Sequence, residues 1–287
     1  MVDTEHPAVL HLEAFAEGPG GGNPAGVVLD ASGLAEGQMQ HLAHQLGYAE
    51  TAFVTTPLDG ARHARLRFFS PDAEVPFCGH ATAATAVALA ELHGVGAFLF
   101  DTNAGAIELV TTESGQGILA AFTSVEPRIA PIDPGVLQRL LGLLLLDAGD
   151  LHADYPPMLS FAGNTHPTLV LGSAESFEHF TFNGADMRTL MDDQGWAGTV
   201  TILRVLGPAE FEARNLFPVG NILEDPATGS AAASTGAYLR AIGALAPPAT
   251  ITIRQGRHVG RPSILTARIP AVGGITVSGS ARRIEGF

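Results

Sequence analysis

The chain of 287 residues contains no lysine, since all fifteen of its basic side chains are arginine. Without a lysine amine, a pyridoxal-phosphate Schiff base, a lysine imine with a carbonyl substrate and a P-loop lysine are all excluded. Acidic residues number 29, which gives a formal net charge of −14. Nucleic acid and anionic membrane surfaces are therefore not expected partners, and an anionic substrate needs a local binding device.

Cysteine and long apolar runs are also scarce. The single cysteine, Cys78, excludes an internal disulfide and a cysteine-rich zinc site, and is typical of a reducing compartment. The longest apolar run, LLGLLLL at 140–146, is far shorter than the roughly 20 residues of a membrane-spanning helix. The N-terminal residues lack the pattern of a secretory signal. We expect a soluble, cytoplasmic, globular protein.

Short runs rich in β-forming residues, bounded by Gly, Pro and Asn, recur in both halves and predict antiparallel sheets. Helical periodicity appears between them. The predicted strands are 8–15, 25–30, 51–56, 64–70, 106–111, 117–123, 167–173, 198–206, 211–218, 249–256, 263–269 and 274–280, and the predicted helices are 34–47, 136–146 and 185–195.

Two further segments, ATAATAVALAELHG (81–94) and SAAASTGAYLRAIG (230–243), are small and apolar almost all round. A helix without a polar face is buried on all sides, so each segment predicts a central helix with sheet packed closely around it.

The two halves align with each other, which indicates duplication. The shared order is a strand, a proline turn, an acidic segment and a Gly-His or Gly-Ser pair that opens a buried helix. After three extra residues, GHA at 79–81 matches GSA at 229–231. At a constant offset of 147, the matched pairs are Arg67 with Arg214, Pro71 with Pro218, and Cys78 with Asp225.

This alignment predicts two domains. We place the linker at 127–134, an N-terminal domain at 1–126 and a C-terminal domain at 127–274, with the segment 275–287 packing back on the first.

The two buried helices predict an anion-binding device. Each begins with unpaired backbone N–H groups and the positive end of a helix dipole, which bind carboxylate or phosphate without a basic side chain. In a pseudo-symmetric protein both termini can face one interdomain cleft.

Three residues are candidates for acid–base chemistry beside these termini. Asp225 precedes the second helix, His80 begins the first, and Glu50 lies between the apolar Tyr48 and Phe53 in surroundings that suit proton transfer. The alternatives are that Asp225 only caps its helix, that Glu50 is a solvated loop acid and that His80 is structural.

Other patterns are weaker. His41 and His44 have a helical spacing that could hold a metal, although that side of the helix is polar. Cys78 precedes a helix N-terminus and could be a nucleophile, but a lone cysteine cannot supply a two-thiol mechanism. The chain has no HExxH, GxSxG or GxGxxG motif in the required context, and the glycines at 20–22 precede a strand, which favours a loop.

Six segments together resemble the PhzF-like family of phenazine-biosynthesis isomerase-like proteins, which is related in fold to diaminopimelate epimerase. The segments are GNPAGVVL (22–29), YAETAFV (48–54), FFSPDAEVPFCGHATAATA (68–86), GNTHPTLVL (163–171), NLFPVGNILEDPATGSAAASTGAYL (215–239) and QGRHVGRPS (255–263). The resemblance covers essentially the whole chain. It implies an α+β fold of two pseudo-symmetric domains, each a curved, mostly antiparallel sheet around a central buried helix. It also implies no metal, no organic cofactor and a homodimer.

The resemblance assigns catalytic roles to Glu50, which moves a proton between substrate carbons, and to His80 and Asp225, which orient and polarise the substrate. One departure is Ala49, where the family often has serine, and the loss of that hydroxyl leaves the substrate open. The related epimerases use two cysteines, whereas this chain has one. The implied substrate-binding residues are Gly79, Gly229, Ser230 and Asn23.

We therefore expect a cofactor-independent isomerase that acts on a small carboxylate by general acid–base catalysis in the interdomain cleft. One alternative is an amino-acid racemase or epimerase that uses Glu50 and Asp225. Another is a non-catalytic carboxylate-binding protein that keeps the fold and the pocket.

Overall fold

A computed structural model describes residues 7–115 and 117–286. The chain forms two compact units: residues up to Phe122 together with those from Ser278 onward form unit 1, and Thr123–Val277 form unit 2. Among the helices of the described ranges, none is long and apolar enough to cross a bilayer.

Unit 1 is built from strands around one long helix, with a second helix outside. Its strands are β1 (Leu10–Ala14), β2 (Asn23–Val28), β3 (Glu50–Thr56), β4 (His63–Phe69), β5 (Glu74–Val75), β6 (Gly96–Thr102), β7 (Gly105–Ser114) and β8 (Gly117–Thr123), and its helices are α1 (Glu36–Leu46) and α2 (Gly79–His93). The last strand of the chain, β17 (Thr276–Arg283), returns to pair with β1.

Unit 2 repeats this plan with additional surface helices. Its strands are β9 (Arg128–Pro131), β10 (Met158–Phe161), β11 (Thr165–Leu171), β12 (Val200–Gly207), β13 (Glu210–Leu216), β14 (Glu224–Asp225), β15 (Ala249–Gln255) and β16 (Ser263–Ile269), and its helices are α3 (Pro134–Leu143), α4 (Ala174–His179), α5 (Gly184–Gln194) and α6 (Gly229–Ala241). Because β9 pairs with β10, the segment predicted as a linker is partly a strand of this unit.

The strand pairings follow the same order in both units, which confirms the predicted α+β fold. The series β1·β2, β2·β3, β3·β4, β4·β6 and β6·β7 is antiparallel, parallel, antiparallel, parallel and antiparallel. The series β10·β11, β11·β12, β12·β13, β13·β15 and β15·β16 alternates identically. The four parallel pairs in these two series depart from the antiparallel prediction, and each spans a helical connection, which parallel strands require.

The central helices α2 and α6 are buried nearly all round, as predicted from their small side chains. Every residue from His80 to Ala90 of α2 is buried, and so is every residue from Ala231 to Leu239 of α6. Close packing limits their size: a Cβ at Gly236 of α6 would lie 3.0 Å from the Ile275 side chain. These helices fix where their N-terminal turns, and thus the candidate site, can lie.

An equivalent ion pair precedes each central helix. Arg67 of β4 binds Glu74 of β5 at 2.7 Å, and Arg214 of β13 binds Glu224 of β14. In each unit the arginine joins a sheet strand to the two-residue strand that leads into the helix, and so fixes the approach of the chain to the helix N-terminus.

These pairs correct the predicted alignment of the two halves. Phe69 pairs with Glu74 in unit 1 and Leu216 pairs with Glu224 in unit 2, so Glu74 corresponds to Glu224. Cys78 lies four residues after Glu74, and Thr228 lies four residues after Glu224. The counterpart of Cys78 is therefore Thr228 and not Asp225. The three extra residues therefore precede Glu224, in the turn after β13, because the arginine–glutamate pair and not the proline fixes the register.

Candidate active site

In unit 1, three candidate side chains meet at the N-terminus of α2. Glu50 opens β3, Cys78 is the N-cap of α2, and His80 lies in the first turn of the helix. The Nε2 atom of His80 lies 3.5 Å from Oε2 of Glu50. The Sγ atom of Cys78 lies 3.4 Å from the same carboxylate oxygen. The structure thus brings Glu50 and His80 together, as required for shared proton transfer.

The environment of His80 favours a neutral imidazole. Burial is the largest influence and lowers the pKa of His80, while the Glu50 carboxylate and a hydrogen bond from the ring to the Pro24 carbonyl oppose this effect. The His80 side chain is 8% exposed and that of Glu50 is 21% exposed. Glu50 is therefore the member of the pair that solvent or a substrate can reach more easily.

The same cluster is the obvious place to test for a metal, since donor atoms of Glu50, Cys78 and His80 lie within 4.8 Å of one another. The Cys78 thiol is 3.4 Å from Nδ1 and 3.7 Å from Nε2 of His80. An atom nearly equidistant from both nitrogens does not lie along the lone pair of either. A zinc ion bound in the ring plane, about 2.1 Å from one nitrogen, could not also reach Sγ at about 2.3 Å without side-chain movement. The arrangement fits proton transfer better than metal binding.

In unit 2, Asp225 lies in β14 just before α6 and has a defined partner. The hydroxyl of Thr228 donates to the Asp225 carboxylate at 2.5 Å. The Gln255 amide donates to the Asp225 carbonyl at 2.6 Å and to Oγ1 of Thr228 at 3.0 Å. The N-cap of α6 is Thr228, so Asp225 does not occupy the N-cap position.

The two central helices differ at their N-termini from the surface helices α3, α4 and α5, although α1 also begins without a side-chain cap. Asp133, Ser173 and Asn183 cap α3, α4 and α5 by accepting hydrogen bonds from first-turn N–H groups. Within the described ranges, Cys78 and Thr228 make no such side-chain cap bond to α2 and α6. First-turn N–H groups without a side-chain cap are suited to an anion.

A second histidine, which the sequence reasoning did not single out, supports the α6 terminus. His166 of β11 is fully buried. The Thr199 N–H donates to its Nδ1 at 3.0 Å, and its Nε2 lies 3.1 Å from Oγ of Ser230. Burial lowers the pKa of His166 to about 4. Its position within the GNTHPTLVL motif was the available signal, but its partner Thr199 lies 33 residues further along the chain.

The lowered pKa of His166 predicts acid sensitivity. In the unfolded chain the imidazole has its ordinary pKa of about 6.5, so the unfolded state binds more protons between pH 6.5 and 4. The neutral, buried ring of His166 contributes its full stabilisation above pH 6.5. This contribution is lost as the pH falls, and the loss reaches roughly 3 kcal/mol near pH 4. Urea unfolding of wild type and His166→Gln at several pH values measures this. We expect the free energy of unfolding to fall less steeply with decreasing pH in His166→Gln than in wild type. Equal pH dependence in the two proteins would contradict the lowered pKa of His166.

The remaining predicted residues lie at strand and helix starts. Asn23 opens β2 and is buried, and Gly79 and Gly229 open α2 and α6. Ser230 is partly exposed in the first turn of α6. The structure therefore groups the predicted residues into one set in unit 1 and one set in unit 2.

Solved structures of related proteins share this fold. A phenazine biosynthesis protein of the PhzF family from Bacillus anthracis matches with a TM-score of 0.86, covering 97% of each chain at 23% identity. At this identity the likeness shows the fold alone.

Sequence comparison defines the family. The PhzC-PhzF family model, described as phenazine biosynthesis-like protein, matches residues 12–285. The chain belongs to this family. A protein named as an uncharacterized isomerase in Deinococcus radiodurans is 34% identical, with 91% of this chain and 86% of the relative covered. The trans-2,3-dihydro-3-hydroxyanthranilate isomerase of Pseudomonas fluorescens is 28% identical, with 90% and 88% covered. These names support an isomerase.

Proposed function

We propose that the protein is a cofactor-independent isomerase that moves a proton between two carbons of a small carboxylate substrate. The observation that carries the proposal is the Glu50 carboxylate, partly exposed and 3.5 Å from the buried His80 imidazole. Two ionisable groups in contact at a helix N-terminus can pass a proton between them and toward a ligand. The family and the names of the relatives support the reaction class.

Glu50 acts first as a base and then as an acid. Its carboxylate removes a proton from one substrate carbon, and the electron pair left behind shifts a double bond along the carbon skeleton. Glu50 then returns the proton to a second carbon, so substrate and product have the same composition. His80 faces the same oxygen of Glu50, and its neutral ring can accept or return the proton between the two steps.

The substrate carboxylate is held by backbone N–H groups. The first turns of α2 and α6 each lack a side-chain cap: Gly79 and His80 offer N–H groups in unit 1, and Gly229 and Ser230 offer them in unit 2. This device needs no basic side chain, which suits a chain with a formal net charge of −14. Asp225, which accepts from the Thr228 hydroxyl, polarises a substrate group beside α6. Asn23 lies at the start of β2, two residues before Ala25. Ala25 pairs with Glu50 of the neighbouring strand, so Asn23 lies near the catalytic carboxylate in the sheet and contributes to substrate binding.

The test is incubation of the protein with a set of small carboxylates in heavy water, analysed by mass spectrometry and NMR. The first compound is trans-2,3-dihydro-3-hydroxyanthranilate, because one relative is named for it. The proposal expects a product of unchanged composition with one deuterium at a new position. Inversion of a stereocentre without bond migration would instead indicate a racemase or epimerase. Binding of several carboxylates without exchange on any of them would indicate a binding protein and contradict the proposal.

A further inference from the structure

We propose that His166 is a positioning residue that keeps the Ser230 hydroxyl hydrogen available as a donor to the substrate carboxylate. This inference rests on the proposed function, since it concerns how the α6 terminus binds the anion. It adds one side-chain donor, the Ser230 hydroxyl, to the backbone N–H groups, and His166 fixes the orientation of that hydroxyl.

The first step is the tautomer of His166. The Thr199 backbone N–H is directed at Nδ1 of the ring at 3.0 Å. An amide hydrogen cannot rotate away, so Nδ1 has to present its lone pair. A neutral imidazole carries one proton, which then lies on Nε2. The pKa of His166 is lowered by its burial, against the opposing effect of a hydrogen bond with the Thr199 backbone, and this agrees with a neutral ring.

The neighbouring oxygens of Thr199 do not reverse this assignment. Its carbonyl and hydroxyl oxygens lie 3.1 and 3.0 Å from Nδ1, close enough to accept from a proton there. However, such a proton would meet the fixed Thr199 amide hydrogen directed at the same atom.

The backbone at Gly198 makes room for this ring orientation. A Cβ at Gly198 would lie 2.7 Å from Cε1 and 2.9 Å from Nδ1 of His166, and 2.6 Å from the Thr165 carbonyl oxygen. Real Cβ atoms do not approach other atoms so closely, so a side chain there would displace the ring or the strand. Glycine therefore permits the contact between the imidazole and the Thr199 amide.

The second step concerns Ser230. Nε2–H of His166 donates to its Oγ at 3.1 Å. A hydroxyl has one hydrogen and two acceptor positions, so this bond fills an acceptor position and leaves the hydrogen to point elsewhere. Ser230 is partly exposed and lies in the uncapped first turn of α6. The hydroxyl hydrogen and the adjacent N–H groups then form a set of donors that selects an anion.

The tautomer is tested directly in the wild-type protein. A long-range ¹H–¹⁵N correlation spectrum at neutral pH distinguishes protonated from unprotonated ring nitrogens, and the His166→Gln spectrum identifies the His166 signals among the eleven histidines. The proposal expects a proton on Nε2 only. A proton on Nδ1, or on both nitrogens, overturns it whether or not any variant folds.

The consequence for binding is tested with benzoate, using benzamide as the uncharged control, followed by NMR titration. His166→Gln keeps an amide donor near the position of Nε2, whereas His166→Asn keeps an acceptor for Thr199 and loses that donor. We expect Ser230→Ala and His166→Asn each to weaken benzoate binding about three- to tenfold, and His166→Gln to retain most of it. Benzamide binding should change little.

The double variant separates positioning from a purely structural role. In a Ser230→Ala background, His166→Asn should cause no further loss of benzoate affinity, because the hydroxyl that it positions is gone. A further loss, or equal losses for benzoate and benzamide, overturns the proposal, as does wild-type protein that binds neither. Failure of the isomerase proposal would appear separately, as benzoate binding with the predicted pattern but no deuterium exchange on any substrate.

Discussion

Replacement of Glu50 by glutamine is expected to lower the rate of isomerisation by about a hundred- to ten-thousandfold. The amide keeps the size of the side chain and can occupy the same place beside His80, but it neither accepts nor returns a proton. The loss should fall on kcat. Because one negative charge near an anionic substrate is removed, KM should stay the same or decrease. Steady-state kinetics on the substrate found by the heavy-water screen measure both values.

The control is Glu108→Gln, which makes the same chemical change at an exposed position of β7 in the same unit. Its kcat and KM should match those of wild type. If Glu50→Gln retained wild-type kcat, or lost activity only through a raised KM, the carboxylate would not be the proton carrier. Circular dichroism of both variants shows whether either change has disturbed the fold.

Replacement of Arg214 by methionine is expected to lower the free energy of unfolding by about 3–5 kcal/mol. The side chains of Arg214 and Glu224 are 9% and 11% exposed, so the change leaves a carboxylate buried without its partner. Arg214 also donates to the carbonyls of Phe177 and Phe180 and stacks on the Phe180 ring at 3.8 Å. Methionine replaces the apolar stem but none of these bonds. Urea unfolding at neutral pH measures the loss.

The duplication supplies a matched control. Arg67→Met breaks the equivalent pair in unit 1, where the side chains of Arg67 and Glu74 are 19% and 24% exposed. Greater exposure to water should reduce the loss to about 1–2 kcal/mol. The double variant Arg214→Met/Glu224→Met should recover most of the stability, because it removes the buried charge as well. Equal losses at the two arginines, or no recovery in the double variant, would contradict this account.

The central helices were predictable because their sequences leave few alternatives. A segment such as ATAATAVALAELHG has no polar face, so it has to be buried all round, and α2 is. The strand β6 was missed because Gly94 marks the end of α2 and the run GAFLF after it is continuously apolar, without the alternation typical of a half-buried strand. The helix α4, with six residues, is too short to show helical periodicity.

The candidate site was only partly predictable. The contact between Glu50 and His80 follows from motifs whose spacing is local to unit 1. The equivalence of Cys78 and Thr228 was missed, because the alignment matched Cys78 with Asp225. The role of His166 depends on an amide contributed by Thr199 and on the space left by Gly198. Such contacts between distant segments depend on the register of whole strands, which residue types alone do not determine.

The central claim is that Glu50 carries the proton between substrate carbons. The most direct measurement is the deuterium content of the substrate and product pool after incubation in heavy water with wild type and, in parallel, with Glu50→Gln. The account predicts one deuterium at the newly protonated carbon with wild type and no incorporation above the enzyme-free rate with the variant. Equal incorporation by the two proteins would contradict it.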